Sequence, residues 1–204
     1  MNAPSLASAY NQMAHLYLRE RHLLRSQKYL TKLIKLLPKN ASILDLGCGA
    51  GTPVDDFLIA KNYLVTGLDI SPTQIALARQ YCPRGSFHVQ DIQDLQPREY
   101  QADAVISFYA LFHLPRQRHL EILQKIRSFL PVGGFCLLTM GDRDLEGEFP
   151  LYGSKVFYSQ FAPEKNLKLM QEAGFKIVWN EIDTSGQERH QVSLLTTYTP
   201  PGYI

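Results

Sequence analysis

Residues 43–54 read ILDLGCGAGTPV, an apolar run with one carboxylate that leads straight into glycines at 47, 49 and 51. Glycine takes left-handed backbone angles at no steric cost, so this spacing predicts a tight turn that a ligand can approach closely. The plainer reading is a compact strand-to-helix turn. The third glycine arrives one position too early for the dinucleotide pattern G-x-G-x-x-G. Amides at the start of the following helix would favour a negative group or a polar ligand edge. Acids stand nearby in three places: Asp45 before the turn, Asp69 in TGLDIS and Asp91 in HVQDI. Asp69 falls about 20 residues beyond the turn, where an acid in an open parallel sheet accepts from ribose hydroxyls. Singly, Asp69 could cap the next helix and Asp91 could be a turn residue. Ser71 is the better cap, and three acids at successive strand ends are harder to read as turns.

These residues need a scaffold, and the hydrophobic pattern supplies one. Helical spacing runs over residues 5–36 and stops at Pro38 and Asn40. Its apolar face flanked by Lys and Arg reads as a helix docked on a domain. From Ala41 the strands SILDL, LVTGLDI, SFHVQDI, ADAVISFYAL and GFCLLTM alternate with the helices PVDDFLIAKN, TQIALARQY and PRQRHLEILQKIRSFL. Ser71 and Pro72 open the second of these helices as N-cap and first helical residue. After an irregular stretch over 141–162, PEKNLKLMQEAGF reads as a helix closed by Gly174. KIVWNEID and RHQVSLLTTYT then pair through TSGQE. Such alternation predicts an α/β three-layer sandwich with a seven-stranded, mostly parallel sheet, an antiparallel last strand and an N-terminal helical cap. The expected organisation is a single domain over 1–204. It comprises a cap (1–39), a ligand-binding core (40–140), a substrate loop or lid (141–162) and a C-terminal helix with antiparallel strands (163–204).

Composition narrows the function classes. A formal charge of +2 over 204 residues gives no footprint for nucleic acid or an anionic membrane. No run of about 18 apolar residues offers a membrane span, and the first apolar positions lack the basic residues of a secretory signal. The thiols Cys48, Cys82 and Cys136 are odd in number and form no CxxC pair, which argues against disulfides and structural zinc. Their sparseness suits the cytoplasm. No metal site is expected, although Asp91 and Asp94 lie close in the sequence. His113 in FYALFHLP is the best general-base candidate, against a plainer reading as a helix-entry residue. Tyr109 and Phe112 could line an acceptor pocket or simply pack, and His190 could face the site from the last hairpin. The aromatics of 141–162 suit a lid.

Taken together, DLGCGAGT, GLDIS, VQDI, ADAVISFYALFHL and FLPVGGFCLLTM resemble the successive motifs of class I S-adenosylmethionine-dependent methyltransferases, small-molecule type. The likeness is tightest over residues 40–140 and implies a Rossmann-like fold, S-adenosyl-L-methionine as cofactor and a small-molecule acceptor. It further implies that the Gly47, Cys48, Gly49 and Gly51 backbone lies against the methionyl part, with Asp45 helping to hold the ammonium. By the same resemblance Asp69 takes the ribose hydroxyls, Ile70 packs on adenine, Asp91 accepts its amino group and Ile92 is an apolar neighbour. Ser107 and Phe108 would border the methyl donor, and Tyr10 either closes over the cofactor or packs its helix. Two alternatives stand beside this: an NAD(P)-dependent oxidoreductase, and a non-catalytic S-adenosylmethionine-binding protein. No feature of the sequence specifies the acceptor atom or an oligomeric state.

Overall fold

A computed structural model of the chain describes residues 5–20, 27–185 and 189–197. Its main sheet contains β1 (Ser42–Leu46), β2 (Leu64–Asp69), β3 (Ser86–Val89), β4 (Ala104–Ser107), β5 (Phe135–Met140), β8 (Phe175–Asp183) and β9 (His190–Thr197). The spatial order is β3-β2-β1-β4-β5-β9-β8. β1 to β5 pair in parallel, and β9 runs antiparallel between β5 and β8. The sheet is therefore as the alternation predicts, with the last strand inserted one place in from the edge. Strand order reverses between β1 and β4, the crevice where open α/β sheets bind ligands.

Side chains alternate across each strand, so one strand feeds two cores. Leu44, Leu46, Val105 and Leu138 face α5 (His119–Ser128) and α6 (Pro163–Glu172), meeting Ile122, Ile126 and Met170. Ile43, Val65, Ile106 and Leu137 face the other way, toward α2 (Gln27–Ile34), α3 (Val54–Ala60) and α4 (Pro72–Tyr81). These are the three layers. β4 is buried along its whole length, as its unbroken apolar run requires.

Two expectations change. The periodic stretch 5–36 is two helices, α1 (Leu6–Glu20) and α2, with residues 21–26 outside the described ones. Only α2 joins the sheet core, whereas α1 sets Ala9 and Met13 against Val156. The irregular stretch 141–162 is an antiparallel hairpin of β6 (Leu145–Leu151) and β7 (Ser154–Gln160). Tyr152 and Gly153, both at positive φ, make its two-residue turn, the geometry that matches strand twist. In β6 the half-buried Leu145, Phe149 and Leu151 alternate with the exposed Glu146, Glu148 and Pro150. In the TSGQE connection, Gly186–Glu188 lie outside the described residues.

Ser71 caps α4 as its type and position predict: its hydroxyl oxygen accepts from Gln74 N at 3.1 Å. The same hydroxyl donates to Asn11 Oδ1 at 2.6 Å, and Thr73 N donates to that oxygen at 3.2 Å. One side chain thus starts α4 and fastens α1 to it. We expect Ser71→Ala to lower unfolding free energy by about 1–2 kcal/mol and to speed amide exchange in α1 more than in β1 or β4. Unchanged α1 exchange would contradict this docking.

Candidate functional site

The glycine turn is bound to the end of β2. Leu68 O accepts from both Gly47 N (2.7 Å) and Cys48 N (3.0 Å), and Asp69 Oδ2 accepts from Gly49 N at 2.9 Å. Gly51 N turns back to Cys48 O at 3.1 Å. These amides are used within the fold, so the loop offers a ligand close approach to bare backbone rather than the amide cradle expected for an anion. Gly47 sits at φ +81°, and a Cβ there would lie 2.4 Å from Ala110 Cβ. No side chain fits where the segment after β4 crosses the turn.

A pocket of about 570 Å³, its open mouth included, lies over this turn. Gly47, Gly49, Asp69 and Ile70 form its floor side, with Asp91 and Ile92 following from the end of β3. Phe108, Tyr109, Ala110, His113 and Leu114 come from the segment after β4, and α1 contributes Leu6, Tyr10 and Tyr17. Among the described lining residues there is no Lys or Arg. Nor does any group of three or more His, Cys, Asp or Glu suited to a metal ion occur among the described residues. No helix among them is long and apolar enough to cross a membrane.

Ten of the residues singled out from sequence therefore meet here: Tyr10, Gly47, Gly49, Asp69, Ile70, Asp91, Ile92, Phe108, Tyr109 and His113. Four of the cofactor candidates do not line the pocket. Asp45 is buried within β1, paired in register with Gly67 and Ile106, because the strand's pleat points it into the sheet's flank. Cys48 is buried toward Gly67, filling space beneath the turn, and Gly51 packs on Cys82 and Ala78. Ser107 is buried and donates to Leu46 O at 2.8 Å, tying β4 to β1. Asp91 lines the pocket and also caps a short 3-10 turn, accepting from Gln93 N at 2.8 Å. Gln74, Gln90 and Tyr17 line the pocket without having been singled out. The position of Gln74, three residues after a helix cap that follows Asp69, was the available signal.

Three elements converge on His113. Its Nδ1 is 2.8 Å from Phe157 O in β7, and a carbonyl can only accept, so Nδ1 carries the proton. Its Nε2 then accepts from the Tyr10 hydroxyl of α1 at 2.9 Å. Burial, with a smaller contribution from His190, drives the imidazole pKa down to about 4, against an opposing pull from the Phe157 carbonyl. His113 is thus neutral at pH 7, with Nε2 basic toward the pocket. His190 stands behind this wall, its ring 4.9 Å from Tyr109 and 5.2 Å from Phe112. Tyr109 holds a left-handed φ of 60° while its N–H donates to Thr139 Oγ1 at 2.6 Å, the kind of local strain that collects at ligand sites.

Residues 43–134 match a family model described as a methyltransferase domain. A trans-aconitate 2-methyltransferase of Variovorax paradoxus (strain S110) is 30% identical over 109 residues, 52% of this chain and 40% of that protein. A 27-O-demethylrifamycin SV methyltransferase of Amycolatopsis mediterranei (strain S699) is 30% identical over 114 residues, covering 52% of this chain and 42% of its own length. The chain thus matches less than half the length of either curated relative. The solved structure of Burkholderia thailandensis 1,6-didemethyltoxoflavin-N1-methyltransferase, with bound 1,6-didemethyltoxoflavin and S-adenosylhomocysteine, superposes at a TM-score of 0.74. Identity there is 17%, over 98% of this chain and 94% of that one, so the likeness speaks for the fold.

The buried imidazole makes stability depend on pH. Unfolded, His113 titrates near 6.5, whereas folded it resists protonation until about pH 4. Its contribution is therefore complete above about pH 6.5 and drains away as pH falls toward 4, by on the order of 3 kcal/mol. Denaturation at pH 7, 5.5 and 4.5 is expected to show a shallower loss for His113→Gln than for the wild type. Parallel slopes would remove the claim that this histidine is held neutral.

Proposed function

We propose that this chain is a class I S-adenosylmethionine-dependent methyltransferase, a reading its matches to a methyltransferase-domain model and to curated methyltransferases support, and that it transfers the methyl group of S-adenosylmethionine to a small-molecule acceptor. The observation that carries this reading is the chemistry of the turn and its neighbours. Two carboxylates, Asp69 and Asp91, line a pocket without lysine or arginine among its described lining residues, and the Gly47, Cys48 and Gly49 amides are turned into the fold. That suits a ligand carrying a cationic sulfonium. It suits a dinucleotide pyrophosphate poorly, because such a group needs loop amides or cations to meet it. The oxidoreductase alternative has no comparable support.

In this reading Asp69 accepts from the ribose, Ile70 and Ile92 flank the adenine, and Asp91 accepts from its amino group. Gly47 and Gly49 let the methionyl portion lie on bare main chain, and Phe108 borders the reacting methyl. Asp45, Cys48, Gly51 and Ser107 act from behind, shaping the turn and joining β1 to its neighbours. The sulfonium supplies an electrophilic carbon for in-line displacement. What the chain's own residues do is align and dry the site, and alignment of two reactants is worth up to about 7–11 kcal/mol of barrier. An acceptor O–H or N–H beside Tyr10 would pass its proton to the phenol oxygen as the phenol proton moves to His113 Nε2. The base is weak, so it serves best where the acceptor proton is already acidic.

The relatives named above act on trans-aconitate and on a demethylrifamycin, which favours a metabolite-sized acceptor here too. A formal charge of +2 gives no reason to prefer nucleic acid. The three buried thiols suit a reducing compartment, so we place the enzyme in the cytoplasm.

Calorimetry with S-adenosylhomocysteine is expected to show micromolar to sub-millimolar binding. Asp69→Asn, which keeps an oxygen for the Gly49 or Ser71 amide, is expected to weaken it at least about tenfold, the 1.4 kcal/mol of one charged hydrogen bond. Turnover to S-adenosylhomocysteine against a metabolite panel separates an enzyme from a non-catalytic binder. Wild-type affinity in Asp69→Asn would overturn the ribose assignment, and no binding by the wild type would overturn the function.

A further inference from the structure

Gln74 stands in the first turn of α4, lines the pocket and is 1% exposed, yet neither Oε1 nor Nε2 has a hydrogen-bond partner. Its backbone N–H is spent on the Ser71 cap, which accounts for the main chain but not for the amide. A buried primary amide with both ends unpaired weakens the free protein relative to an apolar side chain of the same size. A ligand that supplies one acceptor and one donor would reverse that balance.

The neighbouring carboxylate indicates which ligand atoms those are. Asp69 offers acceptors only, and each of its oxygens already takes a backbone N–H, from Gly49 at 2.9 Å and Ser71 at 2.8 Å. A vicinal diol presents two protons and two oxygens, so a carboxylate alone leaves the diol oxygens without a donor. An amide completes the set. We propose that Gln74 is a second ribose-reading residue: its Oε1 accepts the proton of one hydroxyl while its Nε2 donates to the oxygen of the other, whose proton goes to Asp69. The assignment rests on the cofactor reading above and adds to it a neutral, two-way contact that makes binding depend on both hydroxyls.

Gln74→Met keeps the volume and removes both polar ends. Without ligand its melting temperature is expected to rise by about 2–4 °C, since a buried unpaired amide has gone. Its affinity for S-adenosylhomocysteine is expected to fall about tenfold. An analogue of that probe lacking both ribose hydroxyls should bind wild type and Gln74→Met alike. Gln74→Glu, which cannot donate at neutral pH, should lose affinity to a similar degree. Unchanged affinity in Gln74→Met, a lowered melting temperature, or an equal loss with the dideoxy analogue would each overturn the assignment; so would failure of Gln74→Met to fold. Wild-type protein that binds S-adenosylhomocysteine no better than the dideoxy analogue would refute the ribose contact alone. Wild-type protein that binds neither would overturn the cofactor reading and this assignment together.

Discussion

The Leu68 carbonyl at the end of β2 accepts two successive amides of the glycine turn, and Asp69 accepts the next. Those bonds force the chain leaving β1 to fold sideways over β2 before α3 begins, and they require the left-handed backbone seen at Gly47, Gly49 and Gly51. The pocket follows from that detour. With β1 diverted toward β2, and β4 leaving on the opposite side, the crevice at the strand-order reversal stays open. Asp69 is both clamp and candidate ligand group. A nucleoside bound there would sit on the same carboxylate that shapes its seat.

Above the turn, the roof depends on another shared contact. His113 joins α1 through Tyr10 and β7 through the Phe157 carbonyl, so one buried ring links the cap, the hairpin and the segment after β4. Aromatic packing extends the join: Phe112 stacks on Tyr158 with ring planes 7° apart, and Tyr17 meets Tyr152 edge-on at 5.8 Å. A ring held neutral by burial is suited to this place, because it can accept and donate at once without adding a charge to the pocket wall. The floor of the site is therefore backbone and carboxylate, and its roof is aromatic.

The floor was legible in the sequence and the roof largely was not. Period-two apolar runs and a 3.6-residue helical pattern identify β1 to β5 with their helices, and Ser71-Pro72 marks the start of α4 almost to the residue. Asp69 and Asp91 could be picked out because they close strands of one parallel sheet at the same end. Asp45 and Ser107 also sit near such ends, but pleat direction decides which side a residue faces, and both are turned into the fold. The hairpin in 145–160 escaped notice because Glu146, Glu148 and Pro150 occupy its exposed row and read as loop. The docking of α1 on β7 is a tertiary choice, made by contacts such as Met13 with Val156 that no local pattern announces. The direction of the loop amides belongs to the same class: glycines announce a turn, not which carbonyl will hold it.

A crystal structure with S-adenosylhomocysteine at saturating concentration tests the floor most directly. The nucleoside should lie between Ile70 and Ile92 with an Asp69 oxygen about 2.6–3.0 Å from a ribose hydroxyl, while Gly47 N and Cys48 N keep their bonds to the Leu68 carbonyl. Density for the nucleoside at another place on the molecule, or a turn released from Leu68 to make room for it, would contradict the idea that β2 builds the seat in advance.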